Sequence, residues 1–178
     1  MSKIVVLLGT TREGRASEGV AKYIAAELTK LGAEVQFVDS RDMLKNQPLT
    51  ETDNETWMAI AAQADGFVIV SPEYNHGYPG MLKMVLDGAD EEYDKKPVGI
   101  VGVSSGPFGG IRMIEQIRQV CVELGLVGIY ETMMFGFASK AVSADGILLD
   151  QAFQPRMEAF GKSLLWWADG LKKLRAEA

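Results

Sequence analysis

The sequence predicts an α/β fold in which a five-stranded parallel sheet lies between two layers of helices. Apolar, β-branched runs alternate with amphipathic helical segments, and the links between them are short. The composition, 47% hydrophobic and 24% charged residues, is that of an ordinary globular protein. Because 178 residues suit one domain of ordinary size, we expect residues 1–178 to form a single domain.

The predicted strands are short apolar runs of the kind that is buried on both faces of a parallel sheet. Five such strands favour the flavodoxin-like order 2-1-3-4-5, a three-layer sandwich. A ligand then binds beyond the carboxyl ends of the strands, where the loops after strands one, three and four meet. The five runs span residues 3–8, 34–40, 66–71, 97–104 and 126–131.

The helices are predicted from apolar residues at helical spacing. The first covers 17–31, with Ser17 as its N-cap and Gly32 as its stop. Residues 132–149 have mixed character and receive no assignment. The other predicted helices span 51–64, which an Asp or Asn cap opens, 81–89, 109–125 and 150–174.

Charge and cysteine content argue against several classes of protein. A formal net charge of −6 and a pI of about 4.9 disfavour a nucleic-acid partner or an acidic membrane surface. The single cysteine, Cys121, fits a reducing compartment, and we expect it to fill the core. The first apolar run is too short for a membrane helix and no cleavage site follows it. We therefore expect a cytoplasmic protein with no membrane partner.

The first loop, GTTREGRAS at 9–17, predicts a phosphate site. The N–H groups at the start of the following helix suit an anion, and Thr10 and Ser17 add hydroxyl donors. Arg12 and Arg15 supply the local positive charge that an acidic protein needs to hold a phosphate. The plain alternative is a polar, capped turn with solvated arginines.

This loop departs from two nucleotide motifs. Arg15 and Ala16 stand where a Walker A loop needs lysine and a magnesium-binding hydroxyl, which argues against a phosphotransfer enzyme. Thr11 breaks the dinucleotide fingerprint G-x-G-x-x-G. Since the loop is rich in hydroxyls rather than glycines, a terminal monophosphate fits it better than a pyrophosphate.

The second loop, PEYNHGYPG at 72–80, has the character of a rigid platform. Its entry is extended at Pro72, and we expect a turn in which Gly77 takes a positive φ. Tyr74 and Tyr78 offer broad ring faces with polar tips, which suit a flat heteroaromatic ligand. The alternative is that both tyrosines cap the core.

Other residues of this loop have ordinary interpretations. His76 is the only histidine, and a lone loop histidine is more often structural than catalytic. Glu73 has the alternative of a solvated surface charge. Because no second His, Cys or carboxylate has metal-ligand spacing with His76, we expect no metal site. The segment GVSSG at 102–106 resembles a nucleophile elbow only loosely and no histidine follows it.

The third loop, SSGPFGG at 104–110, again leads into a helix. Its glycines let main chain approach a ligand closely, and helix N–H groups favour negative charge formed on reduction. Arg112, one turn into the helix, either assists or is an ordinary surface charge.

Together the three loops resemble the NADPH-dependent FMN reductases, a family that includes quinone and azo-dye reductases. The resemblance rests on GTTREGR, SPEYNHGYPGMLK and GPFGGIRM and covers about residues 4–130. Thr10 departs mildly from it, since serine is usual there. The resemblance implies that the first loop binds the FMN phosphate, the second lines the flavin and the third meets its pyrimidine end. The implied residues are Thr10, Arg12, Ser17 and, less directly, Arg15; Pro72, Glu73, Tyr74, Asn75, His76 and Gly77; and Ser104, Gly106, Gly109 and Gly110.

The family implies that hydride passes from NADPH or NADH to flavin N5 and then to an acceptor. Acceptors of the family include a quinone, an azo compound, a nitroaromatic, a metal oxyanion or free flavin. We expect ping-pong kinetics and no catalytic acid–base residue, because the cofactor carries the chemistry. The alternative is a flavodoxin-type electron carrier or flavin-binding module that NAD(P)H does not reduce.

The resemblance also implies a homodimer or homotetramer with the flavin near a subunit interface. Two apolar segments offer contact surfaces, or else face the protein's own core. The adjacent Trp166 and Trp167 cannot face one way on a helix, so one is a candidate for contact with a partner or the sheet. The two segments contain Met81, Met84, Val85 and Leu86, and residues 133–137.

Overall fold

The computed structural model of the protein describes residues 1–46 and 53–177. Its five strands are parallel and lie in the order β2-β1-β3-β4-β5, which confirms the predicted topology. The last strand continues beyond the predicted end at 131 and so accounts for the first part of the unassigned segment. The strands are β1 Lys3–Leu8, β2 Glu34–Asp39, β3 Gly66–Pro72, β4 Pro97–Val103 and β5 Val127–Phe135.

Helices connect the strands, and two of them were not predicted: the short α2 and α6. The helix predicted over 51–64 begins outside the described residues, and the described helix begins at Glu55. The helices are α1 Ala16–Lys30, α2 Ser40–Leu44, α3 Glu55–Gln63, α4 Gly80–Leu86, α5 Ile111–Glu123, α6 Ala138–Ala141 and α7 Gln154–Glu177, with 3-10 turns at Glu91–Tyr93 and Gln151–Phe153.

The prediction that Ser17 caps α1 is wrong. The helix begins at Ala16 and its cap residue is Arg15, which makes no side-chain cap bond. The reason is that the Arg15 carbonyl already accepts the Glu18 N–H at 3.2 Å, so Ser17 lies inside the first turn. The predicted stop at Gly32 is confirmed by its φ of 95°, which only glycine adopts readily.

The sheet is covered on both faces, as the predicted three-layer sandwich requires. Successive residues of β1 point to opposite sides: Val6 packs in the cluster under α1 and α7, and Val5 in the cluster under α3, α4 and α5. Cys121 belongs to the second cluster and is buried, so its role as core filler is confirmed, and burial raises the pKa of its thiol to about 12. No helix within 1–46 and 53–177 has both the length and the apolar character to cross a bilayer.

Most of the apolar residues considered for a subunit interface lie in the protein's own core. Val85 and Phe135 are fully buried, whereas Met81 and Phe137 are each almost half exposed. In the tryptophan pair, Trp167 packs against the core and Trp166 is exposed.

Candidate functional site

The loops after β1, β3 and β4 come together at the carboxyl edge of the sheet. The register pairs Leu8 with Val70 and Pro72 with Val103, so these strands end side by side. The first two loops touch through their side chains, because the hydroxyls of Thr10 and Tyr74 are 2.9 Å apart. The predicted convergence of the three loops is therefore present in the fold.

Two arginines hold the backbone of the first loop. Arg15 donates to the Thr10 carbonyl and pairs with the carboxylate of Asp39, at the end of β2. Its side chain is 3% exposed, so its guanidinium is committed to protein contacts. Arg41, in α2, donates to two further carbonyls of the loop, and the sequence does not predict these contacts.

Arg12 differs from both. It lies in the exposed part of the loop, and its guanidinium makes no hydrogen bond or ion pair with the described residues. It is therefore the cation of the loop that is available to a ligand.

Ser17 carries the plainest sign of a missing partner. Its side chain is buried, and its Oγ is the one buried polar side-chain atom in residues 1–46 and 53–177 that has no hydrogen-bond partner. Buried polar groups in proteins are nearly always paired, because an unpaired one loses its hydrogen bonds to water and gains none from the protein. A phosphate oxygen beside the first turn of α1 would satisfy this hydroxyl.

The second loop contains a two-residue hairpin turn. Tyr74 and Gly77 exchange backbone hydrogen bonds of 2.9 and 3.0 Å, and the positive φ values lie at Asn75, 49°, and His76, 71°. The prediction of a positive φ at Gly77 is therefore wrong: in such a turn the two central residues are left-handed. A Cβ at Gly77 would lie 3.0 Å from Oε1 of Gln116, so a side chain there would require Gln116 to shift slightly.

Glu73 anchors this loop to α5 and is not a solvated charge. Its carboxylate accepts from Nε of Arg112 at 2.6 Å and from the Arg112 backbone N–H at 3.2 Å. Burial alone would raise the pKa of Glu73, but the hydrogen bonds and charge of Arg112 outweigh it and hold that pKa below its ordinary value. One turn further along α5, Gln116 donates to the His76 carbonyl at 2.9 Å.

The two tyrosines of the second loop have different roles. The hydroxyl of Tyr74 meets Thr10, so its ring stands between the first and second loops. Tyr78 packs against the core cluster under α3, α4 and α5, which supports the core-capping interpretation for this residue alone.

The third loop is closed by Ser104. Its Oγ donates to the Gly106 carbonyl and accepts from the Gly109 N–H, both at 2.8 Å. Gly109 and Gly110 have φ of 60° and 78°, and a Cβ on Gly109 would lie 2.7 Å from the Met134 backbone. These two glycines let the loop pack against neighbouring strands, whereas Gly106 faces open space.

A cavity of about 350 Å³ lies between the three loops, and a second one of about 610 Å³ adjoins it. Both are lined by Arg12, Glu73 and Tyr74. In the first, Arg12 and Ser17 beside the start of α1 suit a phosphate, and residues of the other two loops line the remainder, so its lining fits FMN. Its lining comprises Arg12, Gly14, Arg15, Ala16, Ser17, Pro72, Glu73, Tyr74, Val103, Ser104 and Ser105.

The other predicted site residues do not line the first cavity. Thr10 and Asn75 line the second cavity. His76, Gly77, Gly106, Gly109 and Gly110 lie in the same loops but outside both linings. Within the described part of the chain, no group of three His, Cys, Asp or Glu side chains could hold a metal ion.

Comparison with known proteins shows the family to which the chain belongs. The family model described as NADPH-dependent FMN reductase matches residues 2–140. A quinone reductase of Escherichia coli strain K12 is 31% identical over 180 residues, covering 90% of this chain and 94% of the relative.

Two solved structures share the fold. One is a flavoenzyme NAD(P)H:(acceptor) oxidoreductase from Paracoccus denitrificans, with a TM-score of 0.77, 20% identity and coverage of 96% of this chain and 98% of that one. A mutant flavodoxin from Pseudomonas aeruginosa has a TM-score of 0.59 and 21% identity, with coverage of 91% and 98%.

Proposed function

The chain belongs to the NADPH-dependent FMN reductase family, and from that premise we propose that it is an oxidoreductase that oxidises NAD(P)H with FMN held between the three loops. Bound FMN would supply the hydride chemistry, taking hydride at N5 and passing electrons to a small-molecule acceptor. The acceptor class we propose comprises quinones, azo compounds, nitroaromatics, metal oxyanions and free flavin.

The observation that carries the proposal is that the buried, unpartnered hydroxyl of Ser17 belongs to a residue lining the same cavity as Arg12, whose guanidinium is uncommitted among the described residues. In a protein of net charge −6, an anion binds only where a local device holds it. Together with the N–H groups at the start of α1, these two side chains can bind the FMN phosphate. Thr10 orients the loop through Tyr74 and its own contact with the Arg12 N–H, 3.4 Å away.

The part of the cavity that the second and third loops line would hold the isoalloxazine ring. The backbone of Pro72–Gly77 provides one edge, and this segment is fixed by the contacts of Glu73 and His76 with α5. Ser104 lines the opposite edge, and its hydrogen bonds with Gly106 and Gly109 hold the third loop at the start of α5, where helix N–H groups stabilise negative charge. No side chain in this arrangement needs to act as a catalytic acid or base.

We further propose ping-pong kinetics, because one open ring face would receive NAD(P)H and acceptor in turn. We also propose an assembly of two or four copies, with Met81 and Phe137 among its exposed apolar contacts. The proposed location is the cytoplasm. Product-inhibition patterns that require a ternary complex of NAD(P)H and acceptor would contradict the single-face mechanism.

The binding part of the proposal is tested by fluorescence titration of the purified protein with FMN and with riboflavin. We expect quenching that saturates with FMN and a clearly weaker response with riboflavin, which lacks the phosphate. Equal affinity for both flavins would contradict the phosphate assignment, and no quenching at high flavin concentration would exclude the site.

A further inference from the structure

Arg41 lies outside the three loops, yet it holds the first of them at two consecutive residues. Its Nε donates to the Thr11 carbonyl at 2.8 Å and its Nη2 donates to the Arg12 carbonyl at 2.7 Å. The α2 helix that carries it is itself fixed, because Asp39 accepts the Arg41 backbone N–H at 2.9 Å. This planar, two-point donation is a geometry that arginine provides and lysine does not.

These contacts set the direction of the loop's N–H groups. In a trans peptide unit the C=O and N–H point to opposite sides. Because the Thr11 carbonyl accepts from Arg41, the Arg12 N–H points away from Arg41, toward Thr10 Oγ1, which meets the Tyr74 hydroxyl and lines the second cavity. By the same reasoning the Glu13 N–H points away from Arg41, opposite the Arg12 carbonyl. Successive N–H groups turned to one side form an anion-binding concavity.

Arg41 also differs from Arg15 in charge balance. The Asp39 carboxylate pairs with Arg15, and Arg15 also meets Glu18 at 3.4 Å. Arg41 meets carbonyls, and no carboxylate lies within ion-pair distance of it in the described part of the chain. Among the described residues, Arg41 therefore places a positive charge against the loop that no carboxylate pairs with.

We infer that Arg41 is a positioning residue that shapes the first loop for a phosphate and thereby selects FMN over riboflavin; this inference rests on the proposed function. Arg41 contacts the loop backbone and lines neither cavity, so it would act through the loop and not by touching the ligand. The two flavins differ only in the phosphate, so a residue that acts through this loop affects one of them and leaves the other unchanged.

The test compares three variants by fluorescence titration with both flavins. Arg41→Met removes the charge and both donors, and Arg41→Lys keeps the charge but not the two-point donation. Lys45→Met is the matched control, because Lys45 is an exposed cation at the end of the same helix. We expect Arg41→Met to weaken FMN binding about tenfold or more, with riboflavin unchanged. Arg41→Lys should fall between Arg41→Met and the wild type, and Lys45→Met should match the wild type.

An equal loss for both flavins in Arg41→Met would contradict the inference, since Arg41 would then support the fold in general. Unchanged FMN binding would contradict it as well. Amide hydrogen exchange of residues 11–13 without flavin gives a second readout: Arg41→Met should speed exchange there and Lys45→Met should not. Wild-type protein that binds neither flavin would overturn the proposed function and the selection of FMN. The exchange rates would still decide whether Arg41 fixes the loop, and unchanged rates would overturn that as well.

Discussion

Replacing Glu73 by Gln should loosen the second loop, because this carboxylate is its side-chain anchor to α5. The amide keeps the size of the side chain but removes the charge. One of the two carboxylate oxygens is replaced by an NH2 group, a donor that faces the donors of Arg112. The change therefore removes the ion pair without leaving a buried charge unpaired.

The magnitude follows from the burial of the pair. Exposed ion pairs contribute about 0.2–1 kcal/mol, and breaking a buried one costs about 3–5 kcal/mol. The side chain of Glu73 is 6% exposed and that of Arg112 is 44% exposed, so this pair lies between the two cases. We expect the free energy of unfolding to fall by about 2 kcal/mol at pH 7, which corresponds to a decrease in Tm of about 4–8 °C for a chain of this size.

The effect has a defined pH dependence. Because the folded protein holds the pKa of Glu73 below its ordinary value, the ionised carboxylate contributes stability above the ordinary glutamate pKa of about 4.3. That contribution is lost as the pH falls through the lowered folded pKa. The difference in Tm between wild type and Glu73→Gln should therefore be full at pH 7 and shrink in acid.

The assay is thermal unfolding of Glu73→Gln, Arg112→Met and the double variant, with Glu115→Gln as the control. Glu115 is 71% exposed and 3.8 Å from its Arg118 partner, so its replacement should change stability by less than about 0.5 kcal/mol. We expect the two single losses to be non-additive in the double variant, and FMN and riboflavin affinities to fall by the same factor. Strict additivity, or a Tm equal to that of the wild type, would refute the anchoring role of Glu73.

Three further outcomes follow from the structure. Ser17→Ala should stabilise the flavin-free protein by about 1 kcal/mol, since it removes an unpaired buried hydroxyl, and should weaken FMN binding about tenfold in titrations. A variant less stable than the wild type would show that the hydroxyl is paired. Gly109→Ala should destabilise by at least about 2 kcal/mol in chemical unfolding, because of its positive φ and the Met134 backbone, while Gly106→Ala stays within about 0.5 kcal/mol; equal losses would contradict the loop packing. Cys121 should resist thiol reagents until the protein unfolds, and rapid modification of the folded protein would contradict its burial. Because burial raises the pKa of its thiol, the wild type should lose stability relative to Cys121→Ala above about pH 9.

The sequence was sufficient to predict the strands and the convergence of the three loops, because buried parallel strands have a local signature. The runs that became β1, β3 and β4 are continuous and apolar, and the order of the sheet then dictates which loops are neighbours. The Asn cap of α3 was also readable, since Asn54 accepts the Trp57 N–H at 3.0 Å.

The contacts that shape the site could not be predicted from the sequence, because they join distant parts of the chain. Glu73 and Arg112 are 39 residues apart, and nothing local to either indicates the pair. Arg41 reaches Thr11 across 30 residues, from a helix too short for a periodic pattern. A cation directly after the strand beside β1 was the one available signal for Arg41.

Local rules were also overridden in two places. Ser17 looked like a helix cap, but the helical bonding begins at the Arg15 carbonyl and leaves the serine hydroxyl inside the first turn. In the second loop, glycine was the expected site of positive φ. The hairpin instead places Asn75 and His76 in the left-handed region, and Asn tolerates it well.

The most direct measurement is the visible spectrum of the protein after addition of FMN and desalting, followed by NADPH without air. We expect a retained flavin spectrum that bleaches on addition of NADPH or NADH and returns when a quinone is added. A retained flavin that neither nucleotide bleaches would contradict the reductase and would favour an electron carrier of flavodoxin type.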